Sequence, residues 1–210
     1  MPTTESIFLV AVAGLALSAS PGPSMLYVLS RSIGQSRNAG LISAAGLAVG
    51  GFVHVIAAAL GLAAVFLYFP LIYNAVRILG AVYLIYLGVQ MVLDKSDSPD
   101  IHDLEKIRRT PLRRIFYQGI LVETLNPKTL LFFVAFLPQF VNPVSGSISL
   151  QMLALGALVP LTAIPSDLLV AFTGGTVARK LATNRTANQL LTWLGATFLV
   201  LLGLKLFIDL

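Results

Sequence analysis

The chain contains no cysteine and little charge, and both shortages limit what it can be. Without cysteine, disulfide staples, thiol catalysis and thiolate metal sites are excluded. Charged residues make up 11% of the 210 positions, against about a quarter in a typical soluble domain. Hydrophobic residues make up 57%, and the mean hydropathy is +0.87. This composition predicts an all-α integral membrane protein surrounded by a lipid bilayer.

Histidine is also scarce, which argues against a metal site and against an enzyme. His54 and His102 lie far apart in the sequence and lack metal-ligand spacing. No nucleophile–base pair and no cofactor motif is visible. We therefore predict that the chain is not an enzyme and needs no cofactor. We expect His54 to be a hydrogen-bonded packing residue, with a proton relay as the alternative.

Six apolar stretches are long enough to cross a membrane, for which a helix needs roughly 20 apolar residues. Lys and Arg gather after the first, third and fifth stretches, whereas the segments after the second and fourth contain none. Because positively charged loops stay in the cytoplasm, both termini are predicted to be periplasmic. These loops explain the net charge of +5 without a nucleic-acid partner. The stretches are 5–30, 39–67, 70–93, 116–139, 148–177 and 187–208.

The two halves of the chain resemble each other. Segments 79–94 and 194–209 align without a gap and are identical at seven of sixteen positions. Segments 22–26 and 126–130 align more weakly. Because three helices are an odd number, a repeat of three would be an inverted-topology repeat; shared Leu and Gly composition is the alternative. The predicted units are a first three-helix repeat, a cytoplasmic linker and a second three-helix repeat, at 1–94, 95–115 and 116–210.

Proline interrupts one membrane helix in each half, at Ser20–Pro23 and at Leu125–Lys128. Proline has no amide hydrogen to donate to the carbonyl four residues earlier. Non-helical backbone at membrane depth is tolerated where it lines a cavity or packs on protein. Matched breaks in two halves indicate a transporter's binding site. The carbonyls that lose their helical donors belong to Leu17, Ala19 and Glu123.

Three ionisable side chains are predicted near these breaks at membrane depth. Lys128 should lie about 18 Å deep, Asp167 about 15 Å and Glu123 about 10 Å, in a hydrocarbon core about 30 Å thick. Such groups are costly and are functional candidates by default. Asp167 would handle substrate or protons, or form a structural ion pair with Lys128. Glu123 would accept an ammonium or a proton, or extend to the interface.

Uncharged groups complete the predicted site. The helix that restarts after Pro21, Gly22 and Pro23, near Ser24, would point its first amides and its positive dipole end at a carboxylate. Asn126 would place a donor and an acceptor beside the second break. In the second stretch, Gly-rich sequence fits a close helix crossing, and such faces also allow a homodimer.

The same residues resemble the lysine exporter (LysE) superfamily. Ser-Pro-Gly-Pro followed by a Gly-rich stretch is similar to one hallmark, and Asn126–Val141 is similar to another, especially in the homoserine/threonine-resistance (RhtB) branch. The resemblance covers nearly the whole chain. It implies a bacterial inner-membrane exporter of amino acids or close derivatives, driven by proton exchange. Glu123 departs from the pattern. The resemblance implies functional importance for Pro21, Gly22, Pro23, Asn126, Pro127, Lys128 and Asp167.

We therefore predict a secondary exporter with a cavity between the first, second, fourth and fifth stretches. The restarted helix and Lys128 would hold a substrate carboxylate. Asp167, together with Glu123, would hold the ammonium when ionised and release it when protonated. A divalent metal-cation exporter is the first alternative, a membrane-embedded enzyme the second and a non-transporting scaffold the third. The predicted translocation residues are Pro21, Gly22, Pro23, Ser24, Glu123, Asn126, Pro127, Lys128 and Asp167.

Overall fold

The computed structural model describes residues 2–19, 22–62 and 109–173, with single residues and short runs between 75 and 93 and between 193 and 208. Most of the third and sixth predicted stretches, and residues 95–108 of the predicted linker, therefore lie outside the described residues. So does Pro21. The two-repeat architecture and its domain boundaries stay predictions.

The described chain is helical throughout. Four long helices, α1, α2, α3 and α4, span Thr4–Ala19, Pro23–Gly34, Arg37–Ala57 and Leu112–Thr124. Helix α5 is short, and α6 is the longest; they span Pro127–Leu131 and Ile148–Thr173. Wider π-helical turns follow α3 and α5, at Ala58–Leu62 and Phe132–Phe136. Two short 3-10 helices precede α6, at Leu137–Phe140 and Pro143–Ser145.

Among the described residues, two helices are long and apolar enough to cross a membrane, Arg37–Gly61 and Ile148–Thr173. The number rises to four if each bent helix pair is one span. The axes of α1 and α2 differ by 51°, and the axis of α4 differs by 43° from that of the segment Pro127–Phe140. A helix thus ends and another begins at both predicted breaks, and that each bent pair forms one membrane span stays a prediction.

Proline both ends one helix and begins the next. Pro23 is the first residue of α2 and Pro127 the first of α5. At a first helical position the missing amide hydrogen costs nothing, and the fixed φ favours the helix. Asn126 caps α5, since its side-chain oxygen accepts a hydrogen bond of 3.0 Å from the Lys128 amide. Helix α6, by contrast, continues through Pro160 and Pro165 without a break.

Helix α3 packs closely on α4 and α6 at glycine positions. A Cβ atom on Gly119 would lie 2.9 Å from the Ser43 carbonyl oxygen, and one on Gly51 would lie 2.9 Å from the Pro160 side chain. Gly46 likewise faces the backbone of α4. This glycine-rich face is therefore used within the chain, where it brings α3 against the second break. A homodimer stays a prediction, and this glycine-rich face does not support it.

Replacing Gly119 with valine should destabilise the protein, because both the Ser43 carbonyl and the Gly46 backbone lie where the new side chain would go. Overpacking of this kind costs roughly 1–3 kcal/mol. The melting temperature in detergent measures the effect. Gly61 is the matched control, because no atom of the described residues lies within 4 Å of its Cβ position. Gly61→Val should leave the melting temperature nearly unchanged, and an equal loss in both variants would contradict the close crossing.

A polar cluster fastens the end of α2 to the start of α4. Arg31 donates hydrogen bonds to the Thr110 hydroxyl, at 3.1 Å, and to Gln118 Oε1, at 3.2 Å. Gln35 and Thr110 form a reciprocal pair, with distances of 2.7 and 2.9 Å. Tyr27 donates 2.9 Å to the Ile115 carbonyl. This end of the molecule is closed by side chains from both halves.

Candidate functional site

A cavity of about 60 Å³ lies among the two broken helices, α3 and α6. These elements belong to the four stretches predicted to surround it. Its polar lining combines hydroxyls, an amide, two carboxylates and an ammonium, contributed by Ser18, Ser24, Glu123, Asn126, Lys128, Thr129 and Asp167. Apolar walls are formed by Leu17, Met25, Leu47, Phe133 and Val159. The arrangement offers groups for both ends of an amino acid and for an apolar side chain.

Most predicted translocation residues converge here. Gly22, Ser24, Glu123, Asn126, Lys128 and Asp167 all line the cavity. Pro23 and Pro127 lie at the starts of α2 and α5, where they set the backbone. Pro21 lies outside the described residues. What these residues do in transport stays a prediction.

Glu123 is the centre of the hydrogen-bond network. Its carboxylate accepts from the Ser24 hydroxyl, from the Thr129 hydroxyl at 2.8 Å and, at 3.5 Å, from the Asn126 amide. Asn126 also donates 2.9 Å to the Ser24 hydroxyl. An ionised carboxylate only accepts hydrogen bonds, so a shell of donors suits the charged form. Glu123 thus joins the start of α2 to the break between α4 and α5.

Two of the three carbonyl oxygens that the prolines leave without helical donors are contacted by side chains from the other half of the chain. Lys128 Nζ donates 2.7 Å to the Leu17 carbonyl oxygen, four residues before Pro21. His54 Nε2 lies 3.0 Å from the Glu123 carbonyl oxygen and donates to it, four residues before Pro127. A buried carbonyl without a donor is costly. The Glu123 carbonyl oxygen also accepts a hydrogen bond of 3.0 Å from the Asn126 backbone amide, so each half contributes a side-chain donor to the other's break without being its sole donor.

His54 has a structural setting. It is 5% exposed, and its ring stacks on Phe133 with centroids 5.5 Å apart. Together with the bond to the Glu123 carbonyl, this agrees with the predicted hydrogen-bonded packing residue. Because the Nε2 atom is the donor, it carries the hydrogen in this state.

Asp167 lies on α6 and faces the cavity. Its charge interacts with that of Glu123. Among the described residues, no ion pair joins Asp167 to Lys128, whose ammonium instead contacts the Leu17 carbonyl. The residue before Asp167 connects α6 to α1, since the Ser166 and Ser18 hydroxyls are 3.1 Å apart and share a hydrogen bond. No three His, Cys, Asp or Glu side chains in the described part of the chain could hold a metal ion.

Three hydroxyl-bearing contributors had no signal strong enough to single them out in the sequence. Thr129 bonds Glu123 although it is six residues later, a spacing that the helix break makes possible. Ser18 and Ser166 are 148 positions apart, and no local pattern pairs them. Leu17, by contrast, takes part through its carbonyl rather than its side chain, and the position of Pro21 already predicted that this carbonyl would lose its helical donor.

Comparison with known proteins agrees with these features. A family model described as LysE type translocator matches residues 15–210. The chain belongs to the LysE family. The predicted superfamily and its RhtB-like branch are thereby confirmed, and this LysE-family chain is a membrane transport protein.

Several relatives cover most of the chain. A leucine efflux protein of Enterobacter sp. (strain 638) is 31% identical over 173 residues, which are 81% of this chain and 80% of the relative. The homoserine/homoserine lactone efflux protein of Salmonella typhimurium is 31% identical over 180 residues, covering 86% and 84%. An uncharacterized membrane protein of Bacillus subtilis, YrhP, is 33% identical over 150 residues, covering 69% and 71%. No solved structure matches the chain.

Proposed function

We propose that this LysE-family protein exports amino acids or close derivatives from the bacterial cytoplasm across the inner membrane, in exchange for protons. The observation that carries the proposal is the cavity between two proline-broken helices, which is lined by Lys128, Glu123 and Asp167. Transporters with discontinuous helices bind their substrates at such breaks. The names of the leucine and homoserine efflux relatives support the same substrate class.

The cavity suits an amino acid in three ways. Asp167 offers a carboxylate to the substrate ammonium. The first amides of α2 lie at the cavity beside Gly22, where no side chain caps them, and their dipole favours a carboxylate. Leu47, Phe133 and Val159 form an apolar wall for a side chain. The charged and apolar ends of one small molecule would thus be recognised by different helices.

The two carboxylates have different roles in this mechanism. Glu123 accepts hydrogen bonds from Ser24, Asn126 and Thr129, and its role is to organise the breaks. Asp167 lacks such donors among the described residues and is the group that exchanges a proton for the substrate ammonium. A carboxyl group cannot hold both at once, and this exclusion links proton entry to substrate exit.

Transport requires the cavity to open wider than it is here. Its volume of about 60 Å³ is well below the roughly 150 Å³ of a cavity that accepts benzene. Because the charge pattern makes the Arg31 end cytoplasmic, the cluster of Arg31, Gln35 and Thr110 closes the cytoplasmic side. Rocking of one repeat against the other would open this cluster and close the opposite side.

Everted membrane vesicles test the proposal directly. Vesicles from a deletion strain that expresses the chain should accumulate radiolabelled leucine or homoserine when an imposed pH gradient makes their interior acidic. Accumulation should collapse when an uncoupler removes the gradient, and vesicles without the chain are the control. No accumulation of any amino acid tested in an efflux screen, with the protein present in the membrane, would refute the proposed function.

A further inference from the structure

We infer that the Lys128 ammonium occupies a cation-binding site. Without the lysine, this site would bind a monovalent metal ion such as Na⁺. The site is the C-terminal end of α1 beside the cavity. The inference assigns the Lys128 ammonium to the backbone of the broken helix rather than to the substrate carboxylate. Its meaning for transport therefore rests on the proposed function.

The position of the ammonium carries the inference. Lys128 Nζ lies 2.7 Å from the Leu17 carbonyl oxygen, within hydrogen-bond distance. Leu17 is in the last turn of α1, where carbonyl oxygens lack helical donors and form the negative end of the helix dipole. No basic side chain lies in that last turn. The positive charge at this helix end therefore comes from α5, on the other half of the chain.

The surrounding chemistry is that of a cation site. Carbonyl oxygens of unwound backbone and the C-terminal ends of half-helices are the groups with which transporters bind Na⁺. Here the Leu17 carbonyl oxygen, the Ser18 hydroxyl and the Asp167 carboxylate line the same cavity as the ammonium. Oxygen atoms of these kinds suit a hard cation. The Glu123 charge acts on Lys128 as well, so removal of the ammonium would leave excess negative charge.

The two helix breaks show that a freed carbonyl does not require a charged donor such as Lys128. At the other break, the freed Glu123 carbonyl accepts from the Asn126 backbone amide and from His54, and neither donor needs a formal charge. A neutral donor can thus do the same task for the Leu17 carbonyl. The lysine there adds a full positive charge to a cavity that two carboxylates also line, as a bound metal ion would.

The inference predicts that removing the ammonium creates a sodium site. Purified Lys128→Ala should bind radioactive sodium saturably, and its melting temperature should rise in NaCl relative to choline chloride of equal ionic strength. Ethylammonium, which restores the missing group, should raise it too. Wild type and Lys128→Arg, which keep a positive charge at this position, should bind no sodium and show no difference between the two salts.

Every outcome of this experiment decides the matter. Saturable sodium binding by wild type, or a folded Lys128→Ala that binds no sodium, with or without a response to ethylammonium, would overturn the inference. If Lys128→Ala folds poorly, its recovery in NaCl but not in choline chloride supports the inference, and equal failure in both overturns it. Since sodium itself is the probe, these readouts do not depend on the proposed export of amino acids, which the vesicle assay tests separately.

Discussion

Asp167→Asn is expected to abolish pH-driven export while leaving the protein folded. Asparagine has nearly the same shape as aspartate but cannot exchange a proton or carry a negative charge. The substrate ammonium would lose its partner at the cavity wall. Truncating one member of a buried charge pair costs roughly 2–5 kcal/mol. At about 1.4 kcal/mol for each factor of ten, substrate affinity should fall by at least roughly 30-fold.

Proteoliposomes separate the two effects of this substitution. Transport driven by a pH gradient should vanish in Asp167→Asn. Exchange of labelled for unlabelled substrate without a gradient should persist but require a higher substrate concentration. Asp167→Glu should keep measurable pH-driven transport. Thr173→Val is the matched control on α6, because among the described residues the Thr173 hydroxyl donates only to carbonyls of its own helix, those of Leu169 and Val170. Normal pH-driven transport by Asp167→Asn would show that another group carries the proton.

The broken helices could be predicted from the sequence because their cause is local. A proline deletes the donor to a carbonyl four residues earlier wherever it occurs in a helix. The second predicted break coincides with the gap between Thr124 and Pro127. The first agrees in the same way, with α2 beginning at Pro23. Helix α4 begins at Leu112, inside the predicted linker, because Pro111 precedes it and suits a helix start.

The partners within the site could not be predicted, because tertiary packing chooses them. The hydrogen bond of Ser24 to Glu123 joins residues 99 positions apart, and that of Lys128 to Leu17 joins residues 111 apart. Both carboxylates are natural partners for Lys128 by charge alone, which made an ion pair with Asp167 a reasonable expectation. The structure favours the freed carbonyl, since it has an oxygen that no helical amide can reach.

Glu123 shows the same limit from another side. Its depth in the membrane left substrate contact and interfacial exposure equally plausible. The deciding fact is the crossing of α3 and α4, where Gly50 brings α3 against the backbone of Ile120 and the side chain of Glu123. That crossing faces Glu123 inward, toward Ser24 and Thr129. A side chain enclosed by donors on two helices is a structural centre, whatever its depth.

Glu123→Ala should therefore be the most destabilising single change in the site. It would remove the acceptor from three donors at once, and two of these residues, Asn126 and Thr129, are 4% and 5% exposed. A buried polar group left without a partner costs about 1–3 kcal/mol. We expect a marked fall in melting temperature in detergent and little folded protein in the membrane.

Glu123→Gln distinguishes the structural role from proton transfer. The glutamine carbonyl oxygen can accept from one hydroxyl, and the other hydroxyl can rotate to accept from the new amide group. Its melting temperature should thus lie between those of wild type and Glu123→Ala, and transport should remain dependent on the pH gradient. If Glu123→Gln melts like wild type but transports without regard to pH, then Glu123 carries the exchanged proton and Asp167 does not. The two carboxylates are equal in charge, and only their surroundings divide the work: one is saturated with donors at the joint between two helices, and the other faces the cavity.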